Sequence, residues 1–178
     1  MRIEIEPWSP VPTSHLVGVA AFAAAIVVGL LAGDPGWTPI IDSANLAFHE
    51  AGHHVYGIFG TTAQLYGGLL GQMTFPLVAA AIFFFRREPA GVATTLIWAS
   101  QNLFSIGRYM ADARARELPL VGGTEHDFEN IFTRWGVLDR DVHIAAWTRN
   151  IGWLAMIACL AWLAWRWHRD RRETDDEH

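Results

Sequence analysis

The residues best suited to chemistry are His49-Glu50-Ala51-Gly52-His53. On a helix, residues four apart stand one turn apart and share a face. His49 and His53 would then present two imidazoles to a common point, as a tetrahedral zinc requires of a histidine pair. Glu50 falls beside the open coordination position, where it can take a proton from a bound water. The competing explanation is a chance HExxH on an amphipathic surface helix. It needs a charged face, and the neighbours of this motif are apolar.

A hydrolytic zinc takes three protein ligands and leaves one position open, so a further ligand must come from elsewhere in the chain. Asp112 is the first candidate, because it ends a polar helical stripe and a carboxylate there can reach a metal on a neighbouring helix. Its ordinary role would be an interfacial Asp paired with Arg108 or Arg116. His126, in Glu125-His126-Asp127, is the second candidate; its ordinary role would be a surface His in the first turn of a capped helix. Both can face the site, one as ligand and the other orienting a ligand or substrate. Asp127 itself reads as part of the cap. His54 points roughly 100° away from His53 on a helix and reads as a supporting or interfacial group. Asn102, Arg108 and Tyr109 are candidate helpers for an oxyanion or a substrate backbone, and each also has a plain structural role.

These residues must be positioned by helices in a membrane-like composition. Of 178 residues, 52% are hydrophobic, 17% are charged and nine are Trp, a mixture poor for a soluble globule. A mean hydropathy of +0.19 still leaves room for polar parts. The length suits one domain, 1–178, with an acidic lead at 1–12 and a charged tail at 166–178. A net charge of -5 offers no basic footprint, which argues against nucleic acid as a partner. The lone Cys159, among Ala, Leu and Trp, reads as a small buried hydrophobe.

Residues 16–33 carry no charge and read as a first membrane helix; the balance of Arg2 against Glu4 and Glu6 disfavours a signal peptide. Asp34-Pro35-Gly36 makes a turn. A second helix over 39–59 carries the motif, with Thr38 as N-cap, Pro39 as its first residue, Asp42 at the positive end and Gly60 as a stop. Ionisable groups at membrane depth are costly to keep, so this cluster marks a site. Residues 66–85 form a third span. Its Gly67, Gly68 and Gly71 let another helix approach closely, Pro76 is a kink point, and Arg86 and Arg87 close it. A fourth helix over 90–112 carries Gln101, Ser105, Tyr109 and Asp112 at helical spacing, a stripe that should face the protein interior.

The connection 118–141 contains a break at Gly122-Gly123 and a capping box, Thr124 with Asp127, opening a short helix to about Trp135. A last span covers 144–165 and is followed by Arg166, Arg169, Arg171 and Arg172 and a tail expected to be disordered. The fold class is therefore all-α: a polytopic membrane bundle of about five membrane helices plus a short helix in the connection. Placing Arg86, Arg87 and the C-terminal arginines on the cytoplasmic side puts the N-terminus and the 112–142 connection on the other.

A membrane HExxH helix followed by a Gly-rich stretch resembles the site-2 protease class of intramembrane zinc metalloproteases. That class has a second element reading Gly, small or Pro, two residues, then Asn, ahead of an apolar run. Gly67-Gly68-Leu69-Leu70-Gly71-Gln72 before Met73 is similar, with Gln72 one place beyond the Asn position. The class takes its remaining ligand from a Leu-Asp-Gly motif, which this chain lacks; Asp112 stands in Met-Ala-Asp-Ala. The resemblance spans roughly residues 40–115. It implies a zinc metallopeptidase, multi-pass in the bacterial cell membrane, cleaving a membrane-spanning or membrane-adjacent peptide with Glu50 as general base. Two other functions fit the same residues: a zinc hydrolase acting on lipid or another amide, and a non-enzymatic metal-binding membrane protein in which Glu50 only orients a histidine.

Overall fold

The computed structural model describes residues 7–33, 36–121 and 124–176, with side chains described as far as 173. The turn residues Asp34 and Pro35, the Gly122-Gly123 break and half of the acidic lead lie outside them. The described residues are helical and contain no strand. The helices are α1 (Thr13–Ala32), α2 (Pro39–Gly57), α3 (Thr61–Phe85), α4 (Pro89–Ala111), α5 (Asp127–Trp135) and α6 (Asp141–Asp176), with a single 3₁₀ turn at Leu138–Arg140 before α6.

Two kinds of packing hold the bundle. α1, α4 and α6 meet through apolar side chains: Val19, Ala23 and Ile26 from α1, Ala93, Ile97 and Phe104 from α4, Met156 and Leu163 from α6. Cys159 packs at the edge of this cluster as an apolar group. α2 and α3 meet backbone to backbone. A Cβ at Gly52 would lie 2.1 Å from the Gly67 carbonyl oxygen, and one at Gly71 would lie 2.4 Å from that of Phe48. Only hydrogen at these positions allows the approach, which is the use expected of the α3 glycines.

Three helical stretches are long and apolar enough to cross a membrane: Thr13–Ala32, Thr61–Phe85 and Leu138–Glu173. The motif helix α2 and the central helix α4 do not meet that standard, although five such helices were expected. Their polar residues satisfy one another inside the protein. Asp42 Oδ1 accepts from Gln101 Nε2 at 2.8 Å and from Asn45 Nδ2 at 3.2 Å. Asn45 Nδ2 also donates to Gln101 Oε1 at 2.8 Å, and the Trp98 indole donates to Asn45 Oδ1 at 2.9 Å. Asp42, Asn45 and Gln101 are all fully buried, so paired groups replace the apolar surface that a lipid-facing helix would show. Asp42, read from sequence as a dipole partner, also accepts the Thr38 backbone N–H and so closes the start of α2.

Two expectations about the ends are corrected. The start of the described chain, at Trp8 and Ser9, lies at the same end of the bundle as Arg87 and the late part of α6, not opposite them. Trp8 stacks edge-on against Phe84 and Trp162 at 5.3 and 5.8 Å, and the Ser9 N–H donates to the Arg87 carbonyl at 2.9 Å. The reason is that α2 does not run the length of the bundle. Its approach at Gly36 lies against Phe104 and Arg108 near the end of α4, and Gly57 lies against Gln64 near the start of α3. α2 thus begins and ends toward one end. The charged tail, expected to be disordered, continues α6 as helix to Asp176. Arg166 is buried there beside Asp170 and over the Trp8 ring, and Arg169 pairs with Glu173 one turn on.

Candidate metal centre

The α2–α3 contact fixes where the two motif histidines point. His49 is buried with its ring against α3, where a Cβ on Gly68 would sit 2.3 Å from Nε2. Gly68 is therefore the space that the His49 ring occupies. His53, one turn on, donates its Nδ1–H to the Gln64 carbonyl at 2.8 Å. A carbonyl can only accept, so a proton is on Nδ1, and Nε2 is the nitrogen turned toward the centre. The two Nε2 atoms stand 3.2 Å apart.

The third member of the group is Asp127. Its Oδ2 lies 2.9 Å from His49 Nε2 and 3.1 Å from His53 Nε2. These three atoms form a compact triangle able to hold a metal ion. Burial alone would raise the Asp127 carboxyl, but hydrogen bonds from His49 and His53 outweigh it and hold the pKa at about 2. The carboxylate is therefore charged and available.

Neither sequence candidate for the third ligand belongs to the triangle. Asp112, the C-cap of α4, turns both carboxylate oxygens to backbone, accepting from Glu117 N–H at 2.8 Å and Leu118 N–H at 3.2 Å. His126 is fully buried and caps α5: its Nδ1 accepts the Glu129 N–H. Its Nε2, which must then carry the proton, faces Asp112 Oδ2 at 3.4 Å. Burial pushes His126 below its ordinary pKa against the pull of Asp112, so the ring is neutral.

Asp112 and His126 still serve the centre, because they tie the end of α4 to the start of α5. Tyr109 completes that tie. Its ring stacks on His126 at 4.1 Å and meets His49 edge-on at 5.9 Å, and its hydroxyl accepts the Asp127 N–H at 3.2 Å. The cap is also different from the one expected. Thr124 is exposed and plays no capping role; His126 takes the N-cap and Asp127 becomes the first helical residue. A carboxylate relieved of capping is free to turn toward the histidines. The adjacent His126 and Asp127 were the only sequence signal, and the Ser/Thr-x-x-Asp pattern masked it.

The triangle opens on a cavity of about 970 Å³. Glu50 lines it beside His49, His53 and Asp127, together with Gln72, Arg108 and Tyr109. Asn102 is not part of it; that side chain is buried in α4 and donates to the Trp98 carbonyl at 3.3 Å. His54 lies at the rim and is exposed, donating to the Glu50 carbonyl at 3.0 Å, in keeping with a supporting position. His15 and His143 are exposed and remote from the triangle. No protein-family model, curated protein or solved structure matches this chain.

Proposed function

We propose that the chain is a membrane-embedded zinc metallopeptidase. The observation that carries this reading is the triangle of His49 Nε2, His53 Nε2 and Asp127 Oδ2, with Glu50 on the wall of the same cavity. Adjacent ligands on a tetrahedral zinc with bonds of 2.0–2.1 Å lie about 3.3 Å apart. The observed 2.9, 3.1 and 3.2 Å are slightly shorter and would open to that value with little movement. Two imidazoles and one carboxylate are a zinc donor set that leaves a fourth position open. The site-2 protease class resembles this arrangement in kind, two motif histidines completed by an aspartate, though here the aspartate would come from a short helix after α4.

The ion would supply an electrophile that polarises a peptide carbonyl and makes an attacking water acidic. The chain's own groups do the rest. Glu50 takes the proton of the attacking water and passes it to the departing amine nitrogen. Gln64 holds His53 in the tautomer that presents Nε2, and Gly68 lets His49 sit against α3. Tyr109 fixes the backbone of Asp127.

α1, α3 and the apolar part of α6 would lie across the bilayer, with α4 enclosed among them. Trp8, Arg87 and Arg166 share one end of the bundle, so the crossings come to an even number, with the centre toward the other end. The substrate is a membrane-associated peptide that reaches the cavity from that side.

Glu50→Gln tests the reading. The variant should fold and hold one equivalent of zinc, yet cleave candidate membrane peptides slower by roughly 10²–10⁴. Wild-type cleavage by the zinc-loaded variant would overturn the assignment. Weaker zinc binding with no activity to lose in either protein would favour a structural metal site.

A further inference from the structure

The cavity continues past the triangle into the bundle. Leu46 precedes His49 by three residues, Gln72 follows Gly68 by four, and Ser105 and Ile106 precede Tyr109 by four and three. All four line the cavity. Each stands one helical turn from a residue of the centre, and these turns all lead toward the Arg87 end. α3 ends there, α4 starts there, and Phe48 of α2 stacks on Phe75 of α3 at 4.0 Å. The inner end of the cavity is therefore a chamber one turn, roughly 5 Å, beyond the metal ligands.

Leu46 and Ile106 give this chamber apolar walls. Two of its polar groups are already bonded. Ser105 Oγ donates to the Asn102 carbonyl at 3.1 Å, and the Asp42 carboxylate accepts from Thr38, Asn45 and Gln101. Gln72 differs. Only 7% of it is exposed, yet among the described residues no group makes a hydrogen bond to its side-chain amide. Side-chain polar atoms sealed off without a partner occur at Thr38, Asn102, His126 and Arg166, and not at Gln72. Its amide therefore still reaches open space, and the space beside it is the chamber. A buried amide is normally bonded through both its NH₂ and its C=O, so Gln72 calls for a partner that enters through the cavity.

The chemistry of that partner follows from the amide itself. Gln72 is neutral and offers a donor and an acceptor side by side in one plane. A carboxamide returns the complementary pair. A carboxylate has no proton to donate and would share the cavity with the Asp42 carboxylate, an ammonium cannot accept, and an alkyl end would leave Gln72 unpaired. The main chain at the scissile bond is held at the centre, so what reaches one turn further is a side chain of medium length. We propose that Gln72 determines specificity: it selects substrates with asparagine or glutamine beside the scissile bond by pairing with the side-chain carboxamide. This rests on the metallopeptidase reading and names a substrate class for it. Gln72 takes no part in the proton transfers, which stay with Glu50.

The test uses hydroxamates on zinc-loaded, full-length protein in detergent. Acetohydroxamate is too short to reach the chamber and reports on the centre alone. Three further hydroxamates carry a propylene arm that ends in a carboxamide, in an isopropyl group of the same shape, or in a carboxylate. Wild-type protein should bind the carboxamide arm about 10-fold more tightly than the isopropyl arm, since two hydrogen bonds to a buried amide are gained, and the carboxylate arm should bind worst. Gln72→Leu should bring the ratio of carboxamide to isopropyl binding to about one or below, and Gln72→Met, which keeps the length of the side chain, should do the same. Equal affinity of wild-type protein for the carboxamide and isopropyl arms would overturn the assignment, whether or not the variants fold. A full carboxamide preference in Gln72→Leu would overturn it as well, by placing the partner elsewhere. No binding of acetohydroxamate to zinc-loaded wild type would overturn the metal reading instead, and the role of Gln72 with it.

Discussion

The two halves of the bundle tolerate error differently. α1, α4 and α6 are joined by branched and aromatic side chains such as Ile26, Ile97, Phe104 and Leu163, which can shift rotamer when a neighbour changes. α2 and α3 are joined by backbone contact at Gly52, Gly67 and Gly71, while α5 packs on α3 through Phe128, Ile131 and Phe132 and reaches α2 through Asp127. A contact between backbones cannot relax by turning a side chain. The site is built on the α2–α3 contact, which holds His49 Nε2, His53 Nε2 and Asp127 Oδ2 about 3 Å apart.

The sharpest break in that contrast is at Asp127. On the proposed zinc reading, Asp127→Ala leaves two ligands and should weaken zinc binding by more than roughly 100-fold, beyond what loss of a supporting group causes. Metal analysis after dialysis reads it directly. Full zinc content in that variant would remove Asp127 from the centre.

Next come the glycines. Gly52→Ala puts a methyl group 2.1 Å from the Gly67 carbonyl oxygen and should lower stability by about 3 kcal/mol, at the upper end for overpacking. Thermal unfolding in detergent and zinc content should fall together, because the same contact aims both histidines. Gly68→Ala should be milder for the fold, since what it meets is the His49 ring, and should act mainly on zinc. A Gly52→Ala protein as stable as wild type would dissolve the distinction between the two halves.

The tie between α4 and α5 should be intermediate. His126→Ala and Asp112→Asn should each weaken zinc binding by about 10- to 100-fold without abolishing it, as groups that orient a ligand do. If either lost zinc as completely as Asp127→Ala, that residue would have to be a ligand, against its present bonds to backbone.

The smallest effect is expected in the apolar half. Ile97→Val, deep in the α1–α4–α6 cluster, should cost about 1 kcal/mol of stability and leave zinc affinity unchanged. A loss of zinc there would mean that the halves are mechanically one.

What the chain order alone determined is local. His49, Glu50 and His53 lie within one helical turn, so their common face follows from helix geometry, and so does the inward stripe of Gln101 and Asp112. The glycines of α3 were legible for the same reason: a Gly cluster in an apolar helix has few uses except close packing. The partner they meet, Gly52 inside the motif itself, was not. The third corner of the triangle was decided only in three dimensions. Asp112, His126 and Asp127 are near-equivalent as sequence, all able to ligate and all near a helix end. Their roles were set by which backbone N–H groups needed an acceptor. Glu117 and Leu118 took the carboxylate of Asp112, Glu129 took the His126 ring, and Asp127 alone kept its side chain for the histidines. Capping is a competition among neighbours for orphan donors, and its outcome depends on the angle at which α5 leaves the loop. Composition likewise indicated a membrane bundle, but α2 and α4 carry polar residues that are compatible with either a lipid-crossing or an enclosed helix. Only their mutual satisfaction, Asp42 with Asn45 and Gln101, shows that those groups were buried in protein.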